Sequence, residues 1–151
     1  MKVINISIFL ILIVSCNSEE KSGQSKKSKE STPQASSLIN CYQYATQSDT
    51  VTLKLIHVGK SITGTLVYSL KEKDKNMGTV QGFMRGNIFV ADYTFLSEGV
   101  QSIRQIAFKL EGNSFIEGTG DSFEQNGKII FKNLDSLTFS ASIKLPEIAC
   151  R

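Results

Sequence analysis

From about residue 50 onward, apolar and polar residues alternate with a period of two. In TVTLKLIHV, Val51, Leu53 and Leu55 alternate with Thr52 and Lys54. In SITGTLVYSLKEK, Ile62, Gly64, Leu66, Tyr68 and Leu70 share one face, and Ser61, Thr63, Thr65, Ser69 and Lys71 take the other. In LTFSASIKL, Leu137, Phe139, Ala141, Ile143 and Leu145 are set against Thr138, Ser140, Ser142 and Lys144. Successive side chains of a strand point to opposite faces, so this pattern predicts half-buried antiparallel strands. Further strands are expected near 41–46, 78–85, 88–96, 102–110, 114–121 and 128–132. Turn chemistry separates them: HVGKS, KDKN, RGN, SEG, EGN and QNGK. No stretch carries three turns of helical periodicity. One short helical turn is expected near 96–102.

Eight or nine short strands joined by tight turns read as a sandwich or a closed meander. Two features favour a single up-and-down antiparallel barrel. Short loops between consecutive strands give meander order without Greek-key crossovers. Glycines also recur inside strands, at Gly64, Gly82, Gly118 and Gly120, where a tightly curled wall needs bends. Gly and Ala mixed with larger residues on the inward faces of 62–70 and 137–145 suit a small, mostly filled interior. The all-β domain is expected to span 40–151, an ordinary size for one core.

The N-terminal part has another character. Lys2 is followed by an apolar run from Val3 to Val14, broken only by Asn5 and Ser7. That run is shorter than the roughly 20 residues a transmembrane helix needs, and it suits the apolar region of a secretory signal. Ile13-Val14-Ser15-Cys16 resembles a bacterial lipobox, which implies a signal peptide over 1–15 and a diacylglycerol on Cys16. Attachment through two or three acyl chains fits the weakness of a single chain as an anchor. Residues 17–37 contain no Val, Ile, Leu, Met or aromatic residue, so they cannot offset the entropy of ordering. We read 16–39 as the lipidated cysteine and a flexible tether, with a reach of about 25 Å. Glu19-Glu20 resembles the short acidic signal behind the lipidated cysteine of surface lipoproteins. An outer-membrane placement, facing outward, is therefore expected.

That assignment leaves Cys41 and Cys150 as an even pair out of three cysteines. In an oxidising compartment they are expected to form a disulfide joining the two ends of the domain. Closing a loop of roughly 100 residues is worth at most about 4 to 5 kcal/mol. Charge implies neither a nucleic-acid partner nor a highly acidic substrate. The net charge is +3, and without Lys2 the basic count falls from 17 to 16 against 14 acidic residues. The lysines of QSKKSKE are offset by glutamates in the same tether, so no nucleic-acid partner is implied.

YSLKEKDKNMGTVQG, ADYTFLSEGVQSIRQIAFK and IEGTG resemble stretches of small, uncharacterised Bacteroidota lipoproteins. The likeness covers most of 41–150. It implies a lipocalin-like (calycin-type) β-barrel and a cell-envelope location, and it implies no reaction. Fold alone assigns no function.

Candidate chemistry is sparse. His57, the only histidine, falls in phase with Val51, Leu53 and Leu55 near a strand end, where it could line a barrel mouth. A Ser-His-Asp triad would have to use it, and no G-x-S-x-G elbow is present. One histidine without a spare cysteine makes a poor zinc site. DKNMGTVQGFMR departs from a calcium loop at its sixth and twelfth positions, Thr79 and Arg85. Glu117 and Asp121 could pair as acid and base, but surface solvation explains them better. Arg104 stands out, because it shares its phase with Val100, Ser102, Ile106, Phe108 and Leu110. A charge on an apolar face is costly unless paired. Either Arg104 closes a barrel end through an ion pair and backbone carbonyls, as calycin-type barrels often do, or it meets an acidic ligand group. The structural role is favoured. Tyr68 and Tyr93 could add polar handles to a pocket, or simply pack the core.

These observations predict a non-catalytic, monomeric module without metal or cofactor. Its partners would be the membrane, through Cys16, and a small amphipathic ligand near Arg104, His57, Tyr68 and Tyr93. The alternative is a protein-interaction module resembling in plan the lipoprotein barrels that inhibit lysozymes. An enzyme comes third. An interior cavity of several hundred Å³ would favour a ligand. A filled interior with an exposed apolar patch would favour a partner protein.

Overall fold

The computed structural model of the protein describes residues 38–71 and 73–151, which form ten strands. They are β1 (Leu38–Ala45), β2 (Thr50–Val58), β3 (Ser61–Ser69), β4 (Asn76–Arg85), β5 (Ile88–Ser97), β6 (Val100–Glu111), β7 (Ser114–Thr119), β8 (Ser122–Gln125), β9 (Lys128–Phe131) and β10 (Thr138–Ile148). Eight of them close a ring in the order β1-β2-β3-β4-β5-β6-β7-β10, with β10 returning to β1. Every neighbouring pair in the ring is antiparallel. The expected all-β, closed antiparallel barrel is therefore present. Its meander is interrupted once, between β7 and β10, where β8 and β9 form a hairpin outside the ring. Strand β9 then pairs with β6 in parallel at two positions, Ile103↔Lys128 and Arg104↔Ile129.

Turn residues set the two ends of the barrel. At one end lie Gly59-Lys60, Gly86-Asn87 and Gly112-Asn113, and each leading glycine takes a positive φ, 63°, 62° and 64°. That sign pattern matches the type II′ turn, whose twist suits a two-residue hairpin. The opposite end carries the β1–β2 and β3–β4 connections and the tight turn at Glu98-Gly99. Asp49 Oδ1 accepts the backbone N–H of Lys71 at 2.6 Å and so ties the first two of these together. At Glu98-Gly99 both residues are left-handed, φ 50° and 79°. The helical turn expected near 96–102 is thus a β-hairpin, because Glu98-Gly99 adopts a type I′ geometry and lets Leu96 and Gln101 stay paired. The single 3₁₀ turn among the described residues is at Leu134–Ser136, capped by the Asn133 side chain.

The barrel interior is filled. Period-two alternation drives Tyr42, Leu53, Leu66, Phe89, Phe108 and Leu145, among others, into one buried cluster. Phe115 lies at its centre, with ring centroids 4.7 Å from Tyr42, 6.4 Å from Phe89 and 6.2 Å from Phe108. Such offset and edge contacts add to the area term of burial. Curling the wall this tightly requires glycine. A Cβ on Gly64 or Gly82 would overlap the carbonyl oxygen of Lys54 or Val90 on the next strand.

Strand β10 departs from the simple alternation. Between Phe139↔Gly118 and Lys144↔Ile116 it advances five residues while β7 advances two. This bulge flips the side-chain phase. Leu145 pairs with Phe115 and faces the core, whereas Phe139 pairs with Gly118 on the outer face, under the Lys109 ammonium at 5.9 Å. Residues 137–145 therefore do not present one continuous face, as plain alternation suggested. On that outer wall Val90, Ala107 and Ile116 are buried although they point away from the core. The excursion between β7 and β10 is tied to the same wall by Lys128–Asp92 (2.5 Å) and Arg85–Asp135 (2.8 Å).

The closing seam is short. β1 and β10 share two register pairs, Cys41↔Ile148 and Tyr42↔Glu147, and a hydrogen bond from Asn40 Nδ2 to Glu147 Oε1 at 2.8 Å. Cys41 and Cys150 meet there at disulfide geometry, with Cα atoms 5.2 Å apart at a sequence separation of 109. The expected cysteine pair thus sits where the ladder is shortest. Strand β1 begins at Leu38, so Leu38 and Ile39 belong to the sheet, paired with His57 and Ile56, rather than to the tether. The signal over 1–15, Cys16 and the rest of the tether lie outside the described residues.

Candidate functional site

Strands β6 and β7 do not stay together along their length. Their ladder runs from Phe108↔Glu117 to Glu111↔Ser114, and β9 takes over the same edge of β6 at Ile103 and Arg104. Between the two ladders the edge of β6 at Gln105–Ile106 is open to a cleft of about 240 Å³. Arg104, Ile106 and Glu117 reach this cleft from the inner face of the wall, and Gln105 and Gly118 reach it from the outer face. The cleft is therefore a slot through the wall. Its outer rim is the β8–β9 hairpin, with Ile129 and Phe131, and the backbone N–H of Phe131 donates to Gln105 Oε1 at 3.2 Å.

Arg104 projects inward from β6 onto aromatic rings. Its guanidinium carbon lies 5.3 Å from the ring centroid of Tyr68 and 5.6 Å from those of Tyr93 and Phe95. Register explains the arrangement. Arg104 pairs directly with Tyr93, and Phe95 stacks on Tyr93 at 4.7 Å. The ring faces carry the negative end of the aromatic quadrupole and hold the cation without a direct ion pair. Among the described residues Arg104 enters no ion pair, and its Nε is buried without a hydrogen-bond partner. The ion-paired plug expected from the sequence is replaced by an aromatic cradle.

Glu117 completes the cluster. The Tyr68 hydroxyl donates to its Oε1 at 2.5 Å. Burial pushes the Glu117 carboxyl above its ordinary value, and the Tyr68 hydrogen bond and the Arg104 charge oppose that shift. Burial also raises the Tyr68 hydroxyl, reinforced by the Glu117 charge. The Tyr93 side chain is fully buried, its hydroxyl has no partner among the described residues, and burial pushes it up to about 12 against the pull of Arg104. The outcome is a cation with a free donor, an acceptor carboxylate and an unpartnered hydroxyl, grouped at one end of an otherwise apolar barrel.

Of the residues singled out in the sequence, Arg104, Tyr68 and Tyr93 come together. His57 does not join them. It is half-buried at the rim of the opposite end, beside Gly59, Lys60 and Met84. Glu117 and Asp121 also part company. Asp121 is exposed near Lys132 Nζ at 3.7 Å, whereas Glu117 points inward, so its reading as a solvated surface acid is corrected. The signal for Glu117 was its phase, two residues from Phe115. The slot itself had no signal, because it arises where two strands diverge. Among the described residues no three His, Cys, Asp or Glu side chains gather as a metal site. Comparison with known protein families, curated proteins and solved structures finds no match to this chain.

Proposed function

We propose that this protein is a non-catalytic binding module for a small amphipathic ligand, held at the cell envelope by a lipid on Cys16. One observation carries the ligand part. Arg104 lines the slot and its Nε is a buried donor without a partner, and the Tyr93 ring beneath its guanidinium carries a buried hydroxyl that also lacks a partner. An unmet buried donor costs about 1–3 kcal/mol, which an acceptor on a ligand would recover. The filled barrel leaves the ligand no place in the core, and the slot beside Arg104 has a volume of 240 Å³, equal to about eight waters. Native mass spectrometry of protein purified from its source tests the reading. A co-purifying small molecule that Arg104→Met abolishes is the expected result, and a bare wild-type chain would count against it.

A second reading, a protein-interaction module, draws on one other observation. Met77, Leu96 and Val100 are 64%, 62% and 67% exposed around the β5–β6 hairpin, beside the same end of the barrel. A filled core with apolar side chains outside suits a partner protein. The same purification separates the two readings by the mass of what co-purifies.

A further inference from the structure

The slot has two polar walls of opposite charge. Arg104 stands on β6 and Glu117 on β7, both line the same small volume, and they form no ion pair with each other. A bare carboxylate entering the slot would satisfy Arg104 but confront the Glu117 carboxylate. A bare amine would satisfy Glu117 but meet the Arg104 charge. Like charges brought together in a partly desolvated site repel strongly, so each one-sided ligand loses on one wall what it gains on the other. A group carrying an acceptor and an N–H donor side by side gains on both. Ile106, Ile129 and Phe131 give the slot one apolar side, and Gln105, Thr119 and Ser122 add neutral polar groups elsewhere in its lining. A volume of about eight waters admits one amino-acid-sized molecule and excludes a long acyl chain.

We infer that the slot between β6 and β7 recognises a free α-amino acid with an apolar side chain, its carboxylate on Arg104, its ammonium on Glu117 and its side chain against Ile106, Ile129 and Phe131. Tyr68 fixes the carboxylate of Glu117 through one oxygen, which leaves the other to accept from the ammonium. The aromatic cradle holds the guanidinium over three rings, on the residue that lines this wall of the slot. Both groups are thus held in place before a ligand arrives, which lowers the ordering cost of binding.

This inference rests on the reading of the slot as a ligand site, and its test keeps the two apart. The folded protein is titrated by calorimetry and by amide NMR with three probes of one shape. L-leucine carries both charges, isocaproate only the carboxylate, and isoamylamine only the ammonium. Leucine is expected to bind about ten- to a hundred-fold more tightly than either half, the worth of one charge-assisted hydrogen bond. Glu117→Gln should bring leucine and isocaproate to similar affinities, and Arg104→Met should do the same for leucine and isoamylamine. Ile129→Trp, at an exposed rim position, should weaken leucine without disturbing the fold, and it decides the matter if either inner variant fails to fold. Equal binding of isocaproate and leucine by the native protein would overturn the two-sided recognition and leave the ligand site standing. So would a protein that binds none of the three yet carries another small molecule from its source. No binding and no co-purifying molecule would end both readings.

Discussion

At the residue scale, the polar cluster at one barrel end is held by aromatic faces and one hydrogen bond, with no direct ion pair for Arg104 among the described residues. Arg104→Met is therefore expected to change stability by no more than about 1 kcal/mol. It loses a cation–π contact worth about 2 kcal/mol when desolvated, and it removes an unmet donor of similar cost. The methionine thioether also packs well on rings. A loss above about 3 kcal/mol in denaturant unfolding would mean that a buried charge pair had been broken instead. Tyr93→Phe deletes a buried hydroxyl without a partner, so its melting temperature should be equal to or above that of the native chain. Glu117 gives the pH dependence. Its carboxyl is raised by burial, so the folded state holds the proton more tightly than the unfolded state does. Stability from this group is then greatest below the ordinary value near 4.5, and it falls as pH rises from there through the folded-state value. Glu117→Gln keeps an oxygen to accept from Tyr68 and removes that fall. Melting curves between about pH 3 and 8 should show the variant gaining on the native chain through this window and then running parallel to it. A constant offset at every pH would refute the assignment.

At the element scale, the weak point of the barrel is the seam between β1 and β10, with two register pairs against eight for β1 and β2. The Cys41–Cys150 link spans 109 residues and closes that seam. Replacing both cysteines by alanine should cost up to about 4 kcal/mol, or on the order of 10–20 °C in melting temperature. Hydrogen exchange should then rise first in β1 and β10, and uniform loss across all strands would contradict a seam defect. Strands with two unequal faces were legible in the sequence, because a single buried face imposes period two on residues such as Val51, Leu53 and Leu55. Turns were legible where glycine supplies the positive φ, as at Gly59 and Gly86. The β5–β6 turn was less so, because Glu98 adopts a left-handed φ of 50° that its side chain does not favour. The four-residue β8 is fully exposed and leaves no alternation to read. The bulge in β10 was hidden for a different reason, since both Phe139 and Leu145 are apolar and only their partners tell which face each one meets. The same holds for the site. Phase put Arg104 on the apolar face, but the divergence of β6 from β7 that opens the slot is a property of pairing over long sequence distances.

At the scale of the whole molecule, the closed ring leaves the barrel without a long free edge, and the disulfide uses two of the three cysteines. Closure of a barrel removes the exposed edges through which sheets associate. The proposed membrane link is Cys16, which is followed by residues 17–37 without a Val, Ile, Leu, Met or aromatic residue. Cys16 lies outside the described residues, and the buried core is built from residues between Tyr42 and Leu145. Anchor and barrel should therefore be separable. Cys16→Ser is expected to move the protein from the membrane fraction to the soluble fraction of the cell envelope. Its melting temperature should equal that of the native domain, and the Cys41–Cys150 link should be intact in non-reducing peptide mapping. Loss of membrane association combined with a lowered melting temperature would show that the anchor and the fold are coupled. A Cys16→Ser chain that still sediments with membranes would remove the lipid anchor from the proposal and leave the slot, with its own binding tests, unaffected.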